Sequence, residues 1–154
     1  MARREPRRRI VQSLEPGRVA VAVEKLGLNH VVITSVDRDD LPDGGAGIWA
    51  RTLHACHEHA PRMTIEVLVP DFKGNLRDVD TVLDAGPDVF AHNLETVPRL
   101  FRKVQPQDKY EWAMSTLGHA RELDPLVLTK SGIMVGLGGT FDEVVEVMRD
   151  LRAV

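Results

Sequence analysis

The sequence predicts an α/β fold of about four parallel strands with flanking helices. Two observations carry this expectation. Short β-branched runs alternate with helical stretches of about 10–15 residues, the pattern of repeated βαβ units. Each run also breaks off into charge, Pro or Gly, as a buried strand does when it delivers polar groups to its C-terminal edge. The change is sharpest in Val31-Val32-Ile33-Thr34-Ser35-Val36-Asp37-Arg38-Asp39-Asp40-Leu41-Pro42-Asp43-Gly44-Gly45.

The elements follow in order. Gly17 to Leu26 reads as a helix with Val19, Ala20, Val23 and Leu26 on one face and Gly27 as its stop. His30 to Thr34 is the first strand. Ala46 to Ala60 is a helix with Trp49, Leu53, Cys56 and Ala60 as its apolar stripe. Thr64 to Val69 is the second strand and runs into Pro70-Asp71-Phe72-Lys73-Gly74. Leu76 to Ala85 is a helix closed by Gly86-Pro87. Asp88 to Ala91 is the third strand and runs into His92-Asn93-Leu94-Glu95-Thr96. Thr96 to Lys103 is a short helical turn, and Lys109 to Leu123 a full helix. Leu126 to Val135 holds the fourth strand, ahead of Gly136-Leu137-Gly138-Gly139-Thr140. Thr140 to Arg152 is the last helix. It opens on a Thr140-x-x-Glu143 capping box, with Phe141, Val144, Val145 and Met148 expected on its buried stripe. A closed eight-stranded barrel takes ~250 residues. The 154 residues here are expected to form an open sheet with both edges covered or exposed.

Composition narrows the function classes. Net charge is −3 and no apolar run approaches the ~20 residues of a membrane span, so neither a membrane nor nucleic acid is the expected partner. A single cysteine, Cys56, excludes an internal disulfide framework and suits a reducing, cytoplasmic setting. Arg3, Arg4, Arg7, Arg8 and Arg9 stand against Glu5 at the start. Residues 1–15 are therefore read as a basic, disordered arm, and 16–154 as the α/β domain.

The strand ends hold the candidate chemistry. Asp37, Asp39, Asp40 and Asp43 share one loop with Arg38, without the EF-hand spacing. They suit a cation or an amine, or a solvated turn whose carboxylates satisfy loop amides. Asn93 and Glu95 can donate to and accept from sugar hydroxyls, or serve as a polar strand end. Lys130, beside Ser131 in an apolar segment, needs an anion or a route to solvent. The Gly136–Thr140 stretch is neither a Walker loop nor a dinucleotide fingerprint. His54, Cys56, His57 and His59 fall on one helix but point in different directions, so no metal site is expected from them.

Four ordered blocks together resemble lipoyl synthase, a radical S-adenosylmethionine enzyme. They are the Val31–Gly45 run, Glu66-Val67-Leu68-Val69-Pro70-Asp71-Phe72-Lys73-Gly74, Asp88-Val89-Phe90-Ala91-His92-Asn93-Leu94-Glu95-Thr96-Val97, and Thr129-Lys130-Ser131-Gly132-Ile133-Met134-Val135-Gly136-Leu137-Gly138. The resemblance runs from about Pro16 to the end. It implies a partial (β/α) barrel that inserts sulfur into an octanoyl chain with a deoxyadenosyl radical. It implies S-adenosylmethionine and [4Fe-4S] clusters as cofactors. The implied partners are an octanoylated lipoyl domain or glycine-cleavage H protein. It also implies that Thr34, Ser35, Asp37 and Asp39 face the cofactor, that Asn93 and Glu95 touch its ribose or methionine part, and that Lys130 and Ser131 lie near the methionine carboxylate.

The departures are equally specific. The family's CxxxCxxC motif, its auxiliary cysteine set and its C-terminal Arg-Ser-Ser-Tyr are absent, and Gly139 stands where the family has glutamate. Iron–sulfur clusters need three or four thiolate-type ligands, and Cys56 stands alone. The chain is thus expected to be lipoyl synthase-like but inactive alone, with no catalytic or metal residue of its own. The alternatives are a non-catalytic module binding S-adenosylmethionine or another adenosine, and half of a split enzyme whose other chain carries the cysteines.

Overall fold

The computed structural model describes residues 5–154, with side chains from residue 14 onward. Its centre is one sheet of four parallel strands in the order β1-β2-β3-β4: His30–Thr34, Thr64–Leu68, Val89–Ala91 and Leu128–Lys130. The helices are α1 (Glu5–Leu26), α2 (Ala46–His59), α3 (Leu76–Leu83), α4 (Pro98–Val104), α5 (Tyr110–Leu123) and α6 (Phe141–Ala153). A single 3-10 turn at Phe72–Gly74 follows β2. Each strand is joined to the next by at least one helix, which is what parallel pairing demands. The result is an α/β fold, a partial (β/α) barrel.

Side-chain alternation sorts the two faces of the sheet. Ile65, Val67 and Phe90 are fully buried and pack with Ala20 and Val23 of α1, Leu53 and Cys56 of α2, and Val79 and Val82 of α3. The opposite face carries Val32, Glu66, Val89 and Leu128 in one register row. Val32 is 50% and Leu128 66% exposed. Parallel sheets normally have both faces covered. Here the described helices cover one, and the other is the open, inward side of an incomplete barrel. A second core of Leu94, Val97, Leu100, Ala113, Leu117 and Val147 lies among α4, α5 and α6.

Two expectations are corrected. The helix expected to start at Gly17 starts at Glu5 and runs through Pro16. The basic arm expected over 1–15 overlaps this helix from Glu5 onward, and residues 1–4 lie outside the described residues. Arg, Gln, Leu and Glu are good helix formers, so a charge run does not by itself end a helix. The second correction is the phase of α6. Phe141 is 82% and Met148 57% exposed, while Val147 is fully buried beside the partly buried Val144 and Leu151. The capping box is present as expected. Arg99 of α4 pairs with Glu143 at the start of α6, while the Val144-Val147-Leu151 line packs into the second core.

Candidate functional site

The C-terminal ends of β1, β2 and β3 open into one cleft of about 760 Å³. Three loops following strands build most of it, and a fourth segment, Gln105–Asp108, comes from the turn between α4 and α5.

The loop after β1 is shaped by its own charges. Arg38 donates through Nε and Nη2 to both carboxylate oxygens of Asp40, at 2.7 and 2.8 Å. Asp43 accepts from Gly45 N and Gly47 N, each at 3.0 Å, and so holds the start of α2. Asp43 is therefore the carboxylate that satisfies loop amides, while Asp37 and Asp39 line the cleft. Gly44 has φ 56° and lies against the ring of Phe72, where a Cβ would come within 2.9 Å. That close approach locks the first loop onto the second.

The loop after β2 is strained. Phe72 and Lys73 both have left-handed backbone, with φ 50° and 55°. Such strain persists only where surrounding structure enforces it. Asp71 supplies part of that force: its Oδ1 accepts from Lys73 N at 2.8 Å. The Lys73 ammonium then reaches Asp39 at 3.1 Å. Asp71 is 6% exposed and its Oδ2 has no hydrogen-bond partner. Burial pushes its carboxyl above the usual range; the Lys73 amide and His92 oppose this, and Asp37 and Asp39 add to it. Burial likewise raises the Asp108 carboxyl, with Asp71 and Asp37 contributing.

The loop after β3 is zipped to the one after β4. Leu94 N donates to Ser131 Oγ at 3.3 Å, Glu95 N to the Gly132 carbonyl at 3.1 Å, and Met134 N to the Glu95 carbonyl at 2.7 Å. Glu95 has φ 65°, again a left-handed residue that is not glycine. Gly132 admits Asn93, whose Oδ1 would lie 2.7 Å from an added Cβ. His92 donates from Nδ1 to the Val69 carbonyl at 2.8 Å, so Nε2 is the nitrogen available to a ligand.

Of the eight residues assigned to the cofactor from sequence, the structure brings six into this cleft: Thr34, Ser35, Asp37, Asp39, Asn93 and Glu95. Lys130 and Ser131 lie instead beside a smaller cavity of about 120 Å³ with Leu117, Leu151 and Val154. Lys130 Nζ is 2.8 Å from Glu66 Oε1 on the open sheet face, and His30 Nε2 stands 3.7 Å from the other oxygen. Ser131 orients Leu94 rather than lining the cleft. Sequence reasoning missed Asp71, Lys73 and Asp108 as cleft residues. Asp71 had a signal, since it follows a strand as Asp37 does; Asp108 follows none.

Six carboxyl-bearing residues, Asp37, Asp39, Asp71, Asp78, Glu95 and Asp108, line the cleft against Arg38 and Lys73. Such a surplus attracts a cation with hydrogen-bonding groups. It does not make an iron–sulfur site. Cys56 is fully buried in α2 and its thiol is pushed up by burial. Among the described residues no group of three or more His, Cys, Asp or Glu could hold a metal. His57 is spent on the Gly86 carbonyl and His59 on Glu24. Among the described residues no helix is long and apolar enough to cross a membrane.

A parallel α/β sheet with a cleft at its strand ends matches what sequence comparison finds: the Radical SAM superfamily model covers residues 2–151, and the chain belongs to that superfamily. Within it, the chain is similar to lipoyl synthases. It is 58% identical over 138 residues to the lipoyl synthase of Rubrobacter xylanophilus. It is 57% identical over 140 residues to that of Caldanaerobacter subterraneus, and 53% over 145 residues to that of Thermus thermophilus. These matches take in 90%, 91% and 94% of this chain but 43%, 49% and 45% of the relatives. The chain thus spans about half the length of the curated relatives it matches.

Proposed function

We propose that the chain is the central part of a lipoyl synthase and that its cleft takes S-adenosylmethionine. The observation that supports this most is the acidic cleft at the strand ends, lined by six of the residues that the family resemblance assigns to the cofactor. S-adenosylmethionine carries a sulfonium and an ammonium, both attracted by Asp37 and Asp39. Asn93 and Glu95 offer a donor and acceptors for ribose hydroxyls. Ser131 contributes from behind, by fixing the turn that presents Asn93 and Glu95.

Sulfur insertion into an octanoylated lipoyl domain or H protein belongs to the same reading for the full-length enzyme, in a reducing cytoplasm. The residues of this chain do not fit a [4Fe-4S] cluster, so no step through one is derived. The chain alone is expected to bind the cofactor without cleaving it. Calorimetry with S-adenosylmethionine tests this directly. Saturable heat that disappears in Asp37→Asn/Asp39→Asn supports the reading, and absence of heat at millimolar ligand overturns it.

One observation favours a second reading, assembly with a separate chain that carries the cysteine motifs. Among the described strands β1 and β4 each have an unpaired edge, and Val32 of β1 and Leu128 of β4 are exposed on the open face. Co-expression with a polypeptide holding CxxxCxxC should then yield a stable complex; separate elution would count against it.

A further inference from the structure

Asp71 is the one buried carboxyl among the described residues of the cleft, and the proposed function gives it no role. One oxygen takes the Lys73 amide, the other has no partner. Its main-chain carbonyl is tied down separately, accepting from Thr116 Oγ1 at 3.5 Å, so the residue is held on both sides of its Cα. Charged and titratable groups face it from several walls. They are Asp37 and Asp39 from the loop after β1, His92 from the end of β3, Asp108 from the turn before α5, and Lys73 on its own turn. Lys73, the cation on its own turn, has its ammonium on Asp39.

A buried carboxylate with a bare oxygen is costly, and neighbouring carboxylates raise that cost. The neutral acid avoids the charge term at once. A ligand cation arriving among Asp37, Asp39 and Asp71 reverses the balance, because an opposite charge close by favours the ionised form. We propose that Asp71 carries a proton in the ligand-free protein and gives it up to solvent when a cationic ligand binds in the cleft, so that cofactor capture is coupled to proton release. The coupling rests on the cleft being the S-adenosylmethionine site. The step breaks the O–H bond of the Asp71 carboxyl, passes the proton to buffer and leaves a carboxylate beside the bound cation.

The sign follows from linkage. Binding that expels a proton strengthens as pH rises towards the point where Asp71 is already ionised, by up to about tenfold per pH unit. Above that point the dependence vanishes.

The test is calorimetry with S-adenosylmethionine in buffers of different ionisation enthalpy, at a series of pH values from acid to neutral. The wild type should release up to one proton per ligand, and Asp71→Asn should release none per ligand bound, whatever its remaining affinity. S-adenosylhomocysteine, which lacks the sulfonium charge, should release less. Equal release by the two ligands, undiminished release in Asp71→Asn, or loss of release in Asp108→Asn alone would each overturn the proposal. A second measurement does not depend on a variant folding. Assigned 13C carboxyl shifts of the wild type should show Asp71 titrating above the ordinary Asp range without ligand, and already ionised with ligand saturating. Ordinary titration of Asp71 in the free protein overturns the proposal. No heat with either ligand overturns the cofactor reading, and the coupling with it. Heat without proton release overturns the coupling alone.

Discussion

Lys130 Nζ lies 2.8 Å from Oε1 of Glu66, on the sheet face turned away from Ile65 and Val67. The side chain of Glu66 is 8% exposed and that of Lys130 58%. The pair therefore joins a buried carboxylate to a cation that keeps most of its water. Removing the lysine strands the carboxylate, whereas removing both charges costs little. Lys130→Met should destabilise the fold by about 1–2 kcal/mol, and Glu66→Gln/Lys130→Met by clearly less than the sum of the single changes. Urea unfolding of the cycle decides it; additive losses would remove the pairing.

Arg99 grips Glu143 through Nε–Oε1 at 2.6 Å and Nη2–Oε2 at 2.9 Å, and also donates to the Gly138 carbonyl at 3.0 Å. The guanidinium and the Thr140 amide lower the Glu143 carboxyl from 4.5 to about 2. A carboxyl with a depressed native value adds stability that is present above its unfolded value and lost on the way down. The contribution should therefore be whole above about pH 4.5 and gone near pH 2. Melting temperatures of wild type and Arg99→Met should differ at neutral pH and converge on acidification. Parallel curves would refute this.

Gly132 leaves room for Asn93, and a Cβ there would lie 2.7 Å from Asn93 Oδ1. Gly132→Ala should push Asn93 out of place and weaken S-adenosylmethionine binding by about tenfold, or 1.4 kcal/mol. The near-ultraviolet spectrum should remain that of a folded protein. Unchanged affinity would detach Asn93 from the ligand.

Val147 is fully buried between α5 and α6, whereas Met148 is 57% exposed. Val147→Ala should cost about 2 kcal/mol, and Met148→Ala within about 0.5 kcal/mol of nothing. The reverse order would restore the phase that the sequence suggested for this helix.

Local chemistry accounts for most of what was legible. The strand positions and their parallel order follow from β-branched runs set between helices, and α2 buries the Trp49-Leu53-Cys56 stripe as its spacing implies. Thr34, Ser35, Asp37, Asp39, Asn93 and Glu95 converge because parallel strands deliver their following loops to one edge. The Thr140 cap was readable because a capping box is confined to one turn of helix.

What the chain alone determined is its family, the placing of its strands between helices, and the edge where its polar loops meet, since each depends on neighbours in sequence. The tertiary structure decided which charges find partners. Lys130 turns to Glu66, Asp43 to the amides of α2, and Asp71 is left with a bare oxygen in a crowd of carboxylates. Those outcomes depend on groups tens of residues apart and on how deeply each is buried, and no spacing along the chain encodes a desolvation cost.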